Sequence, residues 1–190
     1  MANIFLSASI PLPTRNPKYH ETVDVILLRE AIKALAEAVL PHGRITFGGH
    51  PAITPMIVHY IRAASLPKRN VTLFQSAFFL KDFPKENEEF LDLRVTPAEV
   101  SRDRSLALMR NEMINSADFD AAVLIGGMEG VVDEAALFRE LHPRKPVFPV
   151  ASTGAGAAEV FSSSEYPQEL VEDLTYTTLF RRLLIEGQPQ

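Results

Sequence analysis

The chain has no cysteine and no tryptophan among its 190 residues. Without a thiol there is no disulfide, no thiolate zinc centre and no cysteine nucleophile. It has no excess of positive charge either: 19 Lys and Arg stand against 24 Asp and Glu, for a formal net charge of −5. No sequence-wide basic field is present to hold a nucleic-acid backbone, so no nucleic-acid partner is expected. Long apolar runs are missing, and crossing a bilayer takes about 20 such residues, so no membrane association is expected. Residues 1–7 lack the basic segment and apolar stretch of a signal peptide, so the expectation is a soluble, cytoplasmic protein. The five histidines form no H-x-x-x-H pair, and no acidic cluster has metal-ligand spacing, so no metal is expected. There is no G-x-S-x-G elbow, no Lys-Ser/Thr after a glycine run and no G-x-G-x-x-G. Serine hydrolases of that type, Walker-type ATPases and standard dinucleotide sites are thereby disfavoured.

What is present is an ordinary globular composition, 46% hydrophobic and 23% charged, at a length that suits one domain. Short apolar runs alternate with helical periods, which predicts an α/β fold: a Rossmann-like open parallel sheet flanked by helices, in a single domain. Strands are expected at residues 4–7, 44–47, 71–74, 91–95, 121–125 and 147–150. Helices are expected at about 21–40, 54–65, 97–116 and 131–141, the third opened by a Thr96-Pro97-Ala98-Glu99 capping box. Pro11, Pro13 and Pro17 mark a loop. The core covers about 4–160, and an amphipathic helical tail follows at about 165–186.

Three strands end in glycine-rich turns: Gly48-Gly49, then Gly126-Gly127-x-x-Gly130, then Ser152-Thr153-Gly154-Ala155-Gly156. A parallel sheet brings all its strand C-termini to one edge, where ligands bind. Glycine lets backbone amides approach a ligand, and a helix N-terminus adds partial positive charge. Three such turns on one edge point to a nucleotide-type ligand, with no tightly bound cofactor. Arg110 sits in the apolar stripe of Leu106, Met109 and Met113. It either lays its stem on the core or grips a phosphate, for which its planar fork is suited. Arg102 and Arg104 read as solvent-facing or loop residues. Asp133 and Glu134 open the helix after Gly130, as dipole partners or as groups for ribose hydroxyls or a cationic centre. Of the histidines, only His50 in the Gly-Gly-His turn is a site candidate, as a hydrogen-bond donor; His42, His59 and His142 read as structural or solvated.

Met109-Arg110 leading to Ile125-Gly126-Gly127-x-x-Gly130-x-x-x-Glu134 resembles the heart of the Lonely-guy phosphoribohydrolases, and Phe47-Gly48-Gly49 is similar to their earlier glycine turn. The wider grouping is the SLOG superfamily. Residues 4–9 (with Ser7 and Ser9), residues 48–55 (with Gly48, Gly49, His50 and Thr54), residues 125–130 (with Met128 and Glu129) and Ser152-Thr153-Gly154 look most like a stand-alone prokaryotic SLOG cluster. The resemblance spans about residues 4–160 and implies that all these residues, with Arg110 and Glu134, contact the ligand. Departures from the enzyme pattern are plain. Ile125 replaces a proline, Val131 a threonine, and Met128-Glu129 lengthen the loop by one residue, which displaces Glu134 relative to the glycines.

The resemblance implies a sensor of a nucleotide or ADP-ribose-type signal, cyclic forms included, in bacterial antiviral defence beside a TIR-type protein partner. A second reading is an N-glycosidic phosphoribohydrolase that releases base from a nucleoside monophosphate, with Arg110 and Glu134 catalytic. A third is a non-catalytic assembly module using the Phe-rich 76–90 segment and the tail. The stripe of Leu179, Phe180, Leu183 and Leu184 in that tail predicts a homo-oligomer, the alternative being that part of it covers the sheet.

Overall fold

Alternation along the strands sorts the core onto two faces of one sheet. In β1 (Asn3–Ser9), Ile4 and Leu6 face one layer of helices while Phe5 faces the other. In β5 (Ala121–Gly126), Ala121, Val123 and Ile125 go one way, and Ala122 and Leu124 the other. Strands buried on both faces belong in the middle of a parallel sheet. The computed structural model, which describes residues 1–186, places them there. The other strands are β2 (Arg44–Gly48), β3 (Val71–Ser76), β4 (Asp92–Thr96) and β6 (Val147–Val150), and all six run parallel in the order β4-β3-β2-β1-β5-β6. The single Rossmann-like sheet predicted from sequence is present. After β4 the chain crosses back to the far side of β1, so the topological switch point lies between β1 and β5.

One face carries α2 (Val25–Val39), α3 (Ile53–Ala63) and the C-terminal turns. The other carries α4 (Arg102–Ile114), α5 (Glu129–Leu141) and α6 (Ala155–Ser162). Phe138 of α5 stacks on Phe5 at 5.7 Å between ring centroids, and Phe119 packs beside both. Among the described residues, no helix is long and apolar enough to cross a membrane.

Three local expectations change. Thr96 does not cap a helix: it is the buried last residue of β4, and α4 starts later, with the Ser101 side chain accepting from the Arg104 amide. The proline-rich loop holds a helical turn, α1 (Pro17–His20), capped by Asn16. The tail folds as α7 (Glu169–Glu172), α8 (Tyr176–Phe180) and a wide terminal turn over Arg181–Glu186. Leu179, Phe180 and Leu184 are wholly buried in the main core on the α2 side, with Leu183 packed against it. The tail stripe therefore packs on the protein's own α2 side and is not available as the predicted oligomer interface. In the Phe-rich segment, short 3₁₀ turns cover Ala77–Asp82 and Lys85–Glu89; Phe90 packs edge-on against Phe47, and Phe78 stays exposed.

Candidate functional site

A cleft of about 520 Å³ opens at the C-terminal edge of the sheet, at the switch point. Its floor is β1 from Leu6 to Ser9, and one wall is the Gly48-Gly49-His50 turn after β2. The facing walls are α4 (Arg102, Asp103, Leu106, Met109, Arg110) and the start of α5 (Met128 to Val131, Asp133, Glu134). Arg15 reaches in from the proline-rich loop.

The polar centre is one connected chain. The Ser7 hydroxyl donates to Glu134 Oε2 at 2.5 Å, Arg110 Nε donates to Glu134 Oε1 at 3.2 Å, and Arg110 Nη1 donates to Asp133 Oδ2 at 3.2 Å. The pair is mostly enclosed, with side-chain exposures of 20% for Arg110 and 14% for Glu134. Burial pushes the Glu134 carboxyl above the usual range, against the pull of Arg110 and Ser7. The geometry explains the sequence position of Arg110. On α4 it borders the buried Met109 and Met113, and it crosses to α5 because Gly130 leaves it room: a Cβ on Gly130 would lie 2.6 Å from Arg110 Nη2.

His50 is held as a neutral acceptor and donor. Its Nδ1 accepts from the Ala52 amide at 3.2 Å, which leaves the proton on Nε2 when the ring is neutral. Burial, with Arg15 adding to it, lowers its pKa from 6.5 to about 4. Glu129 accepts from Asn16 Nδ2 at 2.7 Å, which fastens the proline-rich loop to the start of α5 and holds the carboxyl below its ordinary range.

The structure brings together Ser7, Ser9, Gly48, Gly49, His50, Arg110, Met128, Glu129, Gly130 and Glu134 around the cleft. Thr54, Gly126, Gly127, Ser152, Thr153 and Gly154 do not line it. Thr54 is fully buried and its hydroxyl accepts from the His50 amide, so it shapes the turn from beneath. Gly127 has φ +87, its amide donates to Ser9 O, and a Cβ there would sit 2.1 Å from Val131 Cγ2. Its glycine serves the chain's own path rather than a ligand's approach. Thr153 is fully buried, accepting from the Gly126 amide at 2.9 Å and donating to Val150 O at 2.6 Å. Ser152 pairs with the Tyr176 hydroxyl at 2.8 Å. Four contributors escaped the sequence reading, Asp103 in the α4 wall among them. Arg15 and Asn16 lie in a loop without periodicity, and Arg102 is in the cleft wall, not simply solvent-facing. Proximity of that loop to α5 is a tertiary fact with no local signal.

A parallel sheet whose cleft opens at its switch point defines a Rossmann-like α/β protein, with the cleft at the edge where sheets of this kind commonly hold ligands. A model of the SLOG cluster3 family matches residues 18–184, and the chain belongs to that family. Its fold is similar to the X-ray structure of TM1055, a structural-genomics target, with a TM-score of 0.55 at 13% identity over 90% of this chain and 89% of that one. Comparison with curated proteins finds no match.

Proposed function

We propose that the cleft binds a nucleotide-type ligand, of the nucleoside monophosphate or ADP-ribose class with cyclic forms included, and that the protein senses this ligand rather than hydrolysing it. The observation that carries the reading is Arg110, fixed by Glu134 and Asp133 at the wall of an open cleft. Among the described residues its Nη2 makes no hydrogen bond, so one edge of the fork remains for a phosphate. The volume lies within the roughly 300–1,000 Å³ typical of small-molecule sites. The lining mixes Arg15, Arg102 and Arg110 with Asp103, Glu129, Asp133 and Glu134. That mixture suits a ligand with phosphate at one end and hydroxyl-rich ribose at the other, better than a free polyanion.

Sensing is favoured over catalysis by the state of Glu134. Both of its oxygens already accept hydrogen bonds, from Ser7 and from Arg110, so it anchors the arginine. A hydrolase would need that carboxylate turned toward a cationic ribosyl centre. The hydrolase stands as a second reading because Ser7, Glu134 and Arg110 form one polar chain at the cleft wall. A defence role and a TIR-type partner belong to the proposal on motif resemblance alone.

The test titrates the protein with AMP, CMP, NAD, ADP-ribose and cyclic ADP-ribose isomers by calorimetry, and follows released base by chromatography. Binding without base release is expected, with Glu134→Gln lowering affinity by less than about tenfold, or about 1.4 kcal/mol. Base release that disappears in Glu134→Gln with affinity intact establishes the hydrolase instead, because only a transition state gains fully from the charge.

A further inference from the structure

We propose that the outer edge of β4 is a self-association surface, through which a second copy of this chain pairs antiparallel about Leu93 and joins two six-stranded sheets into one. β4 ends the sheet, and among the described residues no strand pairs with its outer side. An unpaired edge offers a row of amides and carbonyls to another strand, and proteins with no use for such an edge blunt it. This one is flanked by apolar side chains left in solvent: Leu91 is 76% exposed and Val95 47%.

The sequence of the edge is self-complementary in one register. With a two-fold axis through Leu93, Leu91 lies opposite the partner's Val95, Leu93 opposite its own mate, and Asp92 opposite the partner's Arg94. By symmetry every unlike contact occurs twice. Side chains directly opposite share a face, so the apolar set gathers on the side where Leu93 already packs against the α2 and α3 core. The ionic set gathers on the opposite side, where Arg94 lies over the Phe74 ring at 5.4 Å to the centroid. An axis through Arg94 would set arginine against arginine, and one through Asp92 would set aspartate against aspartate. Charge thus selects the register.

Asp92 is held in place by Thr72 Oγ1, which donates to its Oδ2 at 2.8 Å, and by Arg44 at 3.6 Å, so the exchange moves Arg94 alone. Arg94 Nε now donates to Asp92 Oδ1 of the same strand at 2.9 Å, with 46% of the arginine side chain exposed. Hydrogen bonds from Arg94 and Thr72 hold the Asp92 carboxyl below its ordinary range, so it is ionised at neutral pH. Pairing replaces an intrastrand contact with a cross-strand one of the same kind. None of these residues lines the cleft, so the proposal is independent of the ligand reading.

The test is sedimentation equilibrium of the full chain from about 1 to about 200 μM, a range suited to a short, partly polar interface. The wild type should pass from the 21.1 kDa monomer to a dimer. Asp92→Arg and Arg94→Asp should each be monomeric, because like charges then face each other. Mixed one to one, they should form a heterodimer, since one chain supplies two arginines and the other two aspartates. Leu91→Glu touches only an exposed side chain and should weaken the dimer at least about tenfold. If Asp92→Arg loses its melting transition, Leu91→Glu decides. A wild type that stays monomeric throughout, or a dimer unaffected by Leu91→Glu, overturns the proposal.

Discussion

After β5 the backbone passes Gly126 and Gly127 and enters α5; after β6, its neighbour, it passes Ser152 to Gly154 and enters α6. Both turns lie on the same edge of the sheet and both carry glycine with positive φ. The first leads into the cleft wall, which Met128, Glu129 and Gly130 form while Gly126 and Gly127 stay beneath it. The second is sealed: the Asp24 amide donates to Thr153 O at 3.1 Å, and the Thr22 carbonyl sits where a Cβ on Gly154 would be, 1.8 Å away. The cover is the segment running from the proline-rich loop through α1, with Tyr19 packed against Met128 and Ala155. Lys18 ties that segment to Glu159 of α6 at 2.7 Å. Burial, helped by Glu159, pushes the Tyr19 phenol up to about 12, so it stays a neutral packing group. A glycine-rich strand end is therefore open to a ligand only where no other part of the chain has claimed it.

The contrast breaks most directly through alanine at Gly154 and at Gly130, the cleft-lining residue in the first turn of α5. Gly154→Ala must accept φ +73 and displace a backbone carbonyl, so it should cost about 4 kcal/mol, read as a fall in the urea midpoint. Gly130→Ala meets only the end of the Arg110 side chain, inside a helix that favours alanine. Its stability should stay within about 1 kcal/mol of wild type, while nucleotide affinity drops as the guanidinium is pushed aside. Loss of stability at Gly130 with affinity kept would reverse the assignment of the two turns.

A second prediction concerns the third turn, after β2. The folded-state pKa of His50 is depressed from 6.5 to about 4, chiefly by burial, so the folded protein binds fewer protons than the unfolded chain between those values. The stabilisation is complete above about pH 6.5 and is lost as pH falls toward 4. At roughly 1.36 kcal/mol per pH unit the loss reaches about 3 kcal/mol. His50→Gln should flatten this acid limb, measured as unfolding free energy against pH; an unchanged limb would place the proton uptake elsewhere.

The fold was legible because strand runs such as Ala121–Ile125 are apolar on both faces, a pattern that only a central parallel strand needs. Arg110 and Glu134 were legible because helical spacing and the glycine turn put them on one edge. The Ser152-Thr153-Gly154 turn misled for a physical reason: the same glycine geometry serves a tight turn and a ligand approach, and its cover comes from residues 19–24, more than a hundred positions earlier. The tail misled similarly. An amphipathic stripe records that a face is buried without recording what buries it, and here α2 does so.

The most direct test of the central claim is a calorimetric comparison of wild type and Arg110→Ala, both verified as folded, titrated with the nucleotide that binds wild type best. Removing one charge-assisted contact to phosphate should cost about 1.5–3 kcal/mol, a roughly ten- to hundredfold weaker Kd. A folded Arg110→Ala protein that binds as tightly as wild type, or a wild type that binds none of the nucleotides, would contradict it.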